Sequence, residues 1–264
     1  MAEIKPQRYK ESRPAQYFEP IHEWSRTHDP AWTYELVRLI TTWISLFVYR
    51  TRAISTQNVP ADGPFILTPN HFSNMDHFFA GAYIRRKIRF MAKSQLFGRN
   101  PVLDYIFRTG GVFPVMRGHH DEEAFKTADS ILDRGGCVLM YAEGGRSRTG
   151  ELGEPKAGVG RIALESGVPV VPVAIHGSLG VRRWKRLSFP KVTVQYGEPM
   201  TFEAVSGPTR EQQLEASREI FERVKAMYEP LEQQGRRGVL RSLRRSAADA
   251  VAGASPGAQP PVHS

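Results

Sequence analysis

Cysteine is almost missing from this chain: Cys137 stands alone. It cannot close an intrachain disulfide, so the fold does not depend on an oxidising compartment. Its place in Cys137-Val138-Leu139-Met140 reads as a small core residue. Long apolar runs are missing too. The strongest candidate, Trp32 to Tyr49, has an uncharged part of only Leu39 to Tyr49, far short of the ~20 residues a spanning helix needs. The polar stretch Met1 to His28 has no apolar block behind a basic start, so no secretory signal is expected and the cytosolic face is the default. Acidic residues are in deficit, 27 Asp+Glu against 36 Lys+Arg, for a net charge of +9. That balance predicts attraction to nucleic acid, a lipid surface or a phosphorylated substrate without choosing among them. Internal repeats and zinc-type Cys/His spacings are absent.

What is present is the composition of a folded protein: 264 residues, 41% hydrophobic, with 23 Gly and 19 Pro. Collagen-like repeats, wholesale disorder and a polytopic membrane protein are excluded. From Pro64 onward, short β-branched runs alternate with helical stretches. Phe65 to Leu67, Ile88 to Met91, Gly111 to Val115, Cys137 to Tyr141, Val168 to Ile175 and Val192 to Tyr196 read as strands. Asp76 to Arg86, Asp121 to Arg134, Ala157 to Ser166 and Thr209 to Tyr228 read as helices. The pattern predicts an α/β fold, a single domain with a largely parallel or mixed central sheet flanked by helices. Such sheets carry their chemistry on loops at the strand ends.

Four regions are expected: a polar N-terminal extension over 1–28, an amphipathic helix over 29–52, the α/β domain over 53–232, and a tail over 233–264, basic at first and then disordered. At 100° per residue, Trp32, Leu36, Leu39, Ile40, Trp43, Leu46 and Phe47 share one side of the N-terminal helix, opposite Glu35, Arg38, Thr41, Thr42 and Ser45. Asp29-Pro30 is expected to cap its start, with Arg50 and Arg52 just past its end. The residues fit a helix packed on its own core and a helix lying on a membrane surface about equally. The loop Arg182-Arg183-Trp184-Lys185-Arg186-Leu187 is a second basic segment suited to headgroups.

Several motif matches fail. Gly145 to Gly150 has P-loop glycine spacing but is followed by Glu151-Leu152 where Lys and Ser/Thr are needed. Gly145-Arg146-Ser147-Arg148-Thr149 lacks the last glycine of a nucleophile elbow. One constellation survives: Asn70-His71-Phe72-Ser73-Asn74-Met75-Asp76, after a buried-type strand and before a helix. In a continuous helix, five residues would set His71 and Asp76 ~140° apart, so they meet only if His71 lies in the loop. Paired, the imidazole takes a proton from a substrate hydroxyl while the carboxylate fixes its tautomer. Ser73-x-x-Asp76 equally fits a capping box, with His71 a satisfied loop residue. A second segment, Glu143-Gly144-Gly145-Arg146-Ser147-Arg148, follows a strand and has the character of an anion site: glycines for close backbone approach, Arg146 or Arg148 as a fork for phosphate. Arg117 and Lys156, also at predicted element ends, are further cation candidates.

Taken in order, Asn70 to Asp76, Gly111 to Arg117, Glu143 to Ser147 and Val168 to Val173 resemble the four blocks of the glycerolipid acyltransferases, and most closely the bacterial 1-acylglycerol-3-phosphate acyltransferase family. The resemblance spans roughly residues 53–200. It implies transfer of a fatty acyl group from acyl-coenzyme A or acyl-carrier protein to the hydroxyl of a lysophospholipid, without a covalent acyl-enzyme. It further implies His71 as general base with Asp76 as partner. Arg117, Glu143, Gly144, Gly145, Arg146 and Ser147 would hold the acceptor phosphate, with Lys156 an addition. No metal or bound cofactor and no nucleic-acid partner are implied. A membrane surface with anionic lipid is the expected partner, reached by the 29–52 helix from the cytoplasmic face. The third block departs from the family's Phe-Pro-Glu-Gly-Thr-Arg-Ser: Tyr141-Ala142 precede the Glu, and Gly145 replaces the Thr, removing a hydroxyl from the phosphate loop. Two other classes compete, a basic membrane- or RNA-binding protein and a serine hydrolase using Ser147 with His71.

Overall fold

The structure is a computed structural model, and it describes residues 11–116, 121–147, 149–181 and 189–253. A 3-10 turn, Ala15–Phe18, leads into α1 (Glu19–Thr27) and α2 (Trp32–Trp43), which continues as a π-helical turn over Ile44–Val48. Then follow β1 (Arg52–Ile54), β2 (Phe65–Pro69), α3 (Asp76–Gly81), β3 (Ile88–Lys93), α4 (Pro101–Thr109), β4 (Val112–Val115), α5 (Glu122–Asp133) and β5 (Cys137–Leu139). The chain closes with α6 (Ala157–Ser166), β6 (Val170–His176), β7 (Thr193–Tyr196) and α7 (Arg210–Gly253). The seven strands form one sheet in the order β1-β7-β6-β2-β5-β3-β4. All neighbours are parallel except β6 and β7.

A central parallel strand is buried on both faces, which is why β2 is a continuous apolar run. Its side chains alternate between two cores. Phe65 and Leu67 join Cys137, Leu139 and Phe79 on one face, while Ile66 joins Val138, Ile162 and Phe221 on the other. Cys137 is fully buried and its thiol is pushed up to about 11, as the core reading anticipated. On the second face α6 and α7 approach closely because Gly160 has no side chain. A Cβ there would stand 2.0 Å from the Gln213 carbonyl oxygen, and the Gly160 N–H donates to Ser217 Oγ at 2.8 Å.

Several expectations change. Residues 11–28 pack on the domain instead of extending from it: Phe18 is buried, and His22 Nδ1 lies 2.9 Å from Thr127 Oγ1 on α5. Asp29 does not cap α2, whose N-cap is Ala31. Its carboxylate accepts from Arg89 and Arg134. β1 and α4 were not legible as elements. β1 is three residues long, and α4 is announced by Asn100, whose side chain accepts from Val102 N and Leu103 N ahead of Pro101 at the first helical position. Asp76 to Arg86 yields only Asp76–Gly81. The last helix passes Tyr228 and Gln233 to Gly253, with a break at Gly235, φ +64°, that only glycine takes readily. The supposed tail therefore starts as helix, and its Val239 packs with Leu231, Ile54 and Ala174. Residues 254–264 and the basic loop 182–188 lie outside the described residues.

Candidate active site

Strands β2 and β5 are parallel neighbours, so their carboxyl ends open on the same edge of the sheet, the position where such sheets place ligands. The loop after β2 carries His71. The loop after β5 carries Glu143 to Ser147. Asp76 opens α3 and is fully buried; its Oδ2 lies 2.9 Å from His71 Nδ1 and accepts from the Phe72 N–H and the Ser73 N–H, each at 2.6 Å. One carboxylate oxygen thus folds the loop and orients the imidazole. Ser73 Oγ accepts from the Met75 N–H at 3.1 Å while Asp76 accepts from the Ser73 N–H, so the reciprocal contacts of the capping-box alternative are made by the same carboxylate that engages His71.

The second loop grips the first. Glu143 accepts from the His71 N–H through Oε1 at 2.8 Å and from the Gly153 N–H through Oε2 at 2.9 Å. The Ser147 N–H donates to the His71 carbonyl at 2.8 Å, and the Tyr141 ring stacks on the imidazole with centroids 3.7 Å apart. Burial pushes the Glu143 carboxyl above the usual carboxylate range, opposed by its two backbone donors. Both its oxygens accept backbone N–H groups, so Glu143 positions the His71 loop.

The remaining candidates divide. Gly144 has φ +65°, and a Cβ there would meet the Lys156 side chain at 2.9 Å, so glycine is needed for the turn and for that stem alike. Gly145 and Ser147 are half-buried beside it, and Ser147 Oγ accepts from Gly150 N at 3.1 Å. Lys156 is exposed at the start of α6, and its N–H donates to the Ala142 carbonyl. Arg146 reaches the same cavity as His71. Arg117 and Arg148 lie outside the described residues.

That cavity, about 430 Å³, runs from His71, Asn74 and Arg146 inward between the sheet, α2, α3 and α4. Its walls are mainly apolar, with Phe78, Phe90, Met91, Ile106, Phe107 and Leu139 among them. Four of its side chains went unrecognised in the sequence. Asn74 sat unused inside the quoted motif, Lys93 had the same strand-end signal that singled out Arg117, and Tyr141 and His77 gave none. Asn70, just past β2, positions the loop as well. It ties the His71 loop to β6 by donating to the Ile175 carbonyl at 3.1 Å and accepting from the Ile175 N–H at 2.7 Å.

Comparison with known proteins bears on this arrangement. A chloroplastic 1-acyl-sn-glycerol-3-phosphate acyltransferase, BAT2 of Brassica napus, is 30% identical over 142 residues, 52% of this chain and 41% of that protein. The 1-acyl-sn-glycerol-3-phosphate acyltransferase of Pseudomonas aeruginosa is 22% identical over 195 residues, 70% of this chain and 71% of that protein. The chain thus spans less than half the length of the plant relative it matches. The crystal structure of the 1-acyl-sn-glycerophosphate (LPA) acyltransferase PlsC from Thermotoga maritima shares the fold, with a TM-score of 0.58 over 83% of this chain and 89% of that one, at 24% identity. The Acyltransferase family model matches residues 50–176, from the strand edge through both site loops to the end of β6. Over residues 50–176 this chain therefore resembles the acyltransferase family, and the curated relatives it matches are 1-acyl-sn-glycerol-3-phosphate acyltransferases.

Proposed function

We propose that the chain transfers a fatty acyl group from an acyl-coenzyme A or acyl-carrier-protein thioester to the free hydroxyl of a lysophospholipid, with 1-acylglycerol-3-phosphate as acceptor and phosphatidic acid as product. One observation carries the reading: a carboxylate-oriented histidine stands on the wall of a mainly apolar cavity that also receives Arg146. The cavity takes the alkyl chain, and the arginine meets the acceptor phosphate. His71 Nε2 removes the proton of the acceptor hydroxyl as that oxygen attacks the thioester carbonyl. Asp76 stabilises the imidazolium so formed. The tetrahedral oxyanion then collapses, the C–S bond breaks, and the thiolate leaves with the proton returned by His71. The acceptor's own oxygen is the nucleophile, so no acyl-enzyme forms. Gly144, Gly145 and Ser147 shape the acceptor loop, and Lys156 and Arg117 are assigned to the phosphate on sequence grounds alone. No metal or bound cofactor takes part.

The substrate enters from a bilayer. No helix among the described residues is long and apolar enough to cross a membrane, and α2 with its π-helical turn supplies a surface anchor. Trp32 is 66% exposed, Trp43 58% and Phe47 65%, on the side of the helix opposite the groups that pack inward. A contiguous apolar face of this size is costly in water and suited to the headgroup boundary. This face and the +9 charge support peripheral attachment aided by anionic lipid, and the polar, leader-free reading of residues 1–28 sets it at the cytoplasmic face. The experiment is transfer of labelled palmitate from palmitoyl-coenzyme A to a panel of lysolipids, by wild type and His71→Ala, with free fatty acid counted separately. Histidine-dependent labelling of 1-acylglycerol-3-phosphate is the expected result. Normal transfer by His71→Ala sinks the mechanism, and free fatty acid without lipid product replaces it with hydrolysis.

A further inference from the structure

His77 is a polar group that the acyl-transfer mechanism leaves unused. It follows Asp76 in the first turn of α3 and lines the same cavity as His71. Its ring lies against Phe78, centroids 4.0 Å apart, and against Phe90 at 5.4 Å. Three other polar groups along this cavity are engaged: the Tyr34 hydroxyl accepts from the Ile88 N–H at 2.9 Å, the Thr41 hydroxyl donates to the Val37 carbonyl at 2.7 Å, and Arg38 pairs with Glu35. His77 has no hydrogen-bond partner among the described residues.

Burial, reinforced by neighbouring His71, pushes the His77 imidazolium down to about 4. Near neutral pH the ring therefore carries one N–H donor and one acceptor nitrogen. An alkyl chain filling the cavity strips water from those two groups and offers nothing in return, which penalises a plain chain. A hydroxyl on the chain supplies an acceptor and a donor together. His71 and Asp76 both lie within electrostatic reach of the His77 ring, which sets it toward the His71 end of the cavity. We propose that His77 is a specificity-determining residue that makes the cavity select acyl groups bearing a hydroxyl close to the thioester. The proposal rests on the acyl-transfer reading of the site.

The test compares palmitoyl-, 2-hydroxypalmitoyl- and 3-hydroxypalmitoyl-coenzyme A as donors to 1-acylglycerol-3-phosphate for wild type, His77→Leu and His77→Gln. Wild type is expected to favour one hydroxylated donor by about tenfold in kcat/KM, the scale of one buried hydrogen bond, expressed mainly in KM. His77→Leu is expected to bring that ratio to one or below. His77→Gln, which keeps a donor and an acceptor, is expected to restore part of it. A wild-type ratio of one for both hydroxylated donors, or a ratio that His77→Leu leaves unaltered, overturns the assignment while acyl transfer itself stands. If no donor is turned over, it is acyl transfer that has failed, and His77 is then judged on binding alone. Displacement of a fluorescent fatty acid by 2- and 3-hydroxypalmitate should then exceed displacement by palmitate in wild type and not in His77→Leu, and equal displacement in wild type refutes the role.

Discussion

Asp76 can be replaced in two ways that separate its structural work from its chemical work. In Asp76→Ala, three donors lose their acceptor at once: the N–H groups of Phe72 and Ser73 and Nδ1 of His71. At about 1–3 kcal/mol for each buried group left unpaired, the loss is roughly 3–9 kcal/mol. Against a total stability of roughly 5–15 kcal/mol that is enough to unfold much of the protein, so a dead alanine variant proves nothing about mechanism. Asp76→Asn is the informative change. Its amide oxygen takes the Oδ2 position and keeps all three donors, while its NH2 falls at Oδ1, which has no partner among the described residues. The stability loss is then about 1–2 kcal/mol. The negative charge, however, is gone. At ~4 Å and an effective dielectric constant of ~20, a unit pair is worth about 4 kcal/mol. That term is available only when the imidazole is protonated, in the transition state, so it converts to about a thousandfold in kcat. The assay is thiol release from palmitoyl-coenzyme A in the presence of 1-acylglycerol-3-phosphate, alongside a thermal unfolding curve. A folded Asp76→Asn protein that keeps a rate within about fivefold of wild type would refute the claim that the Asp76 charge assists proton transfer.

The remaining expectations are narrower. The folded-state pKa of Glu143 is raised above its ordinary value of 4.5, so burial favours the protonated form. Its titration contributes stability that is fully present below about pH 4.5 and lost as pH rises through the folded value. The gap in thermal midpoint between wild type and Glu143→Gln should therefore narrow as pH rises above about 4.5, and a gap that widens shows the linkage is wrongly signed. Gly160→Ala would drive a Cβ into the Gln213 carbonyl and Ser217 N and is expected to destabilise by more than about 2 kcal/mol in urea unfolding. An unchanged midpoint means that α6 and α7 separate freely. Trp43 and Phe47 stack on the exposed face of α2, 4.6 Å between ring centroids. Replacing both with Ser should abolish sedimentation with vesicles containing anionic lipid and leave the unfolding midpoint nearly fixed, and full retention on vesicles places the anchor elsewhere.

Much of the architecture was legible because its causes are local. Six of the seven strands announce themselves as β-branched or apolar runs bounded by Gly and Pro, and a parallel interior strand such as β2 needs no alternation to be recognised. β1 was not legible, since three residues, Arg52 to Ile54, carry no period, and it exists only because β7 offers an edge to pair with. The α7 extension past Gln233 was missed because its composition is basic and small, while what holds it is remote packing of Leu231 and Val239 on Ile54 and Ala174. In the site, spacing made the His71 and Asp76 pairing possible without choosing it over a plain capping box, and only the folded loop brings the imidazole to the carboxylate.

The sequence by itself determined the fold class, the strand–loop–helix unit that joins His71 to Asp76, the basic charge and the amphipathic N-terminal helix. These depend on neighbours within a few residues and on periodicity. Tertiary structure decided the rest. It made Glu143 a brace, since only folding brings the His71 and Gly153 N–H groups to its two oxygens. It laid Tyr141 against the imidazole and built the cavity that takes in Arg146 and His77, from segments running from α2 to the loop after β5. Contacts across such separations are set by which strands become neighbours, and the order β2-β5-β3 is fixed by how the two apolar cores close, which no local stretch of the chain encodes.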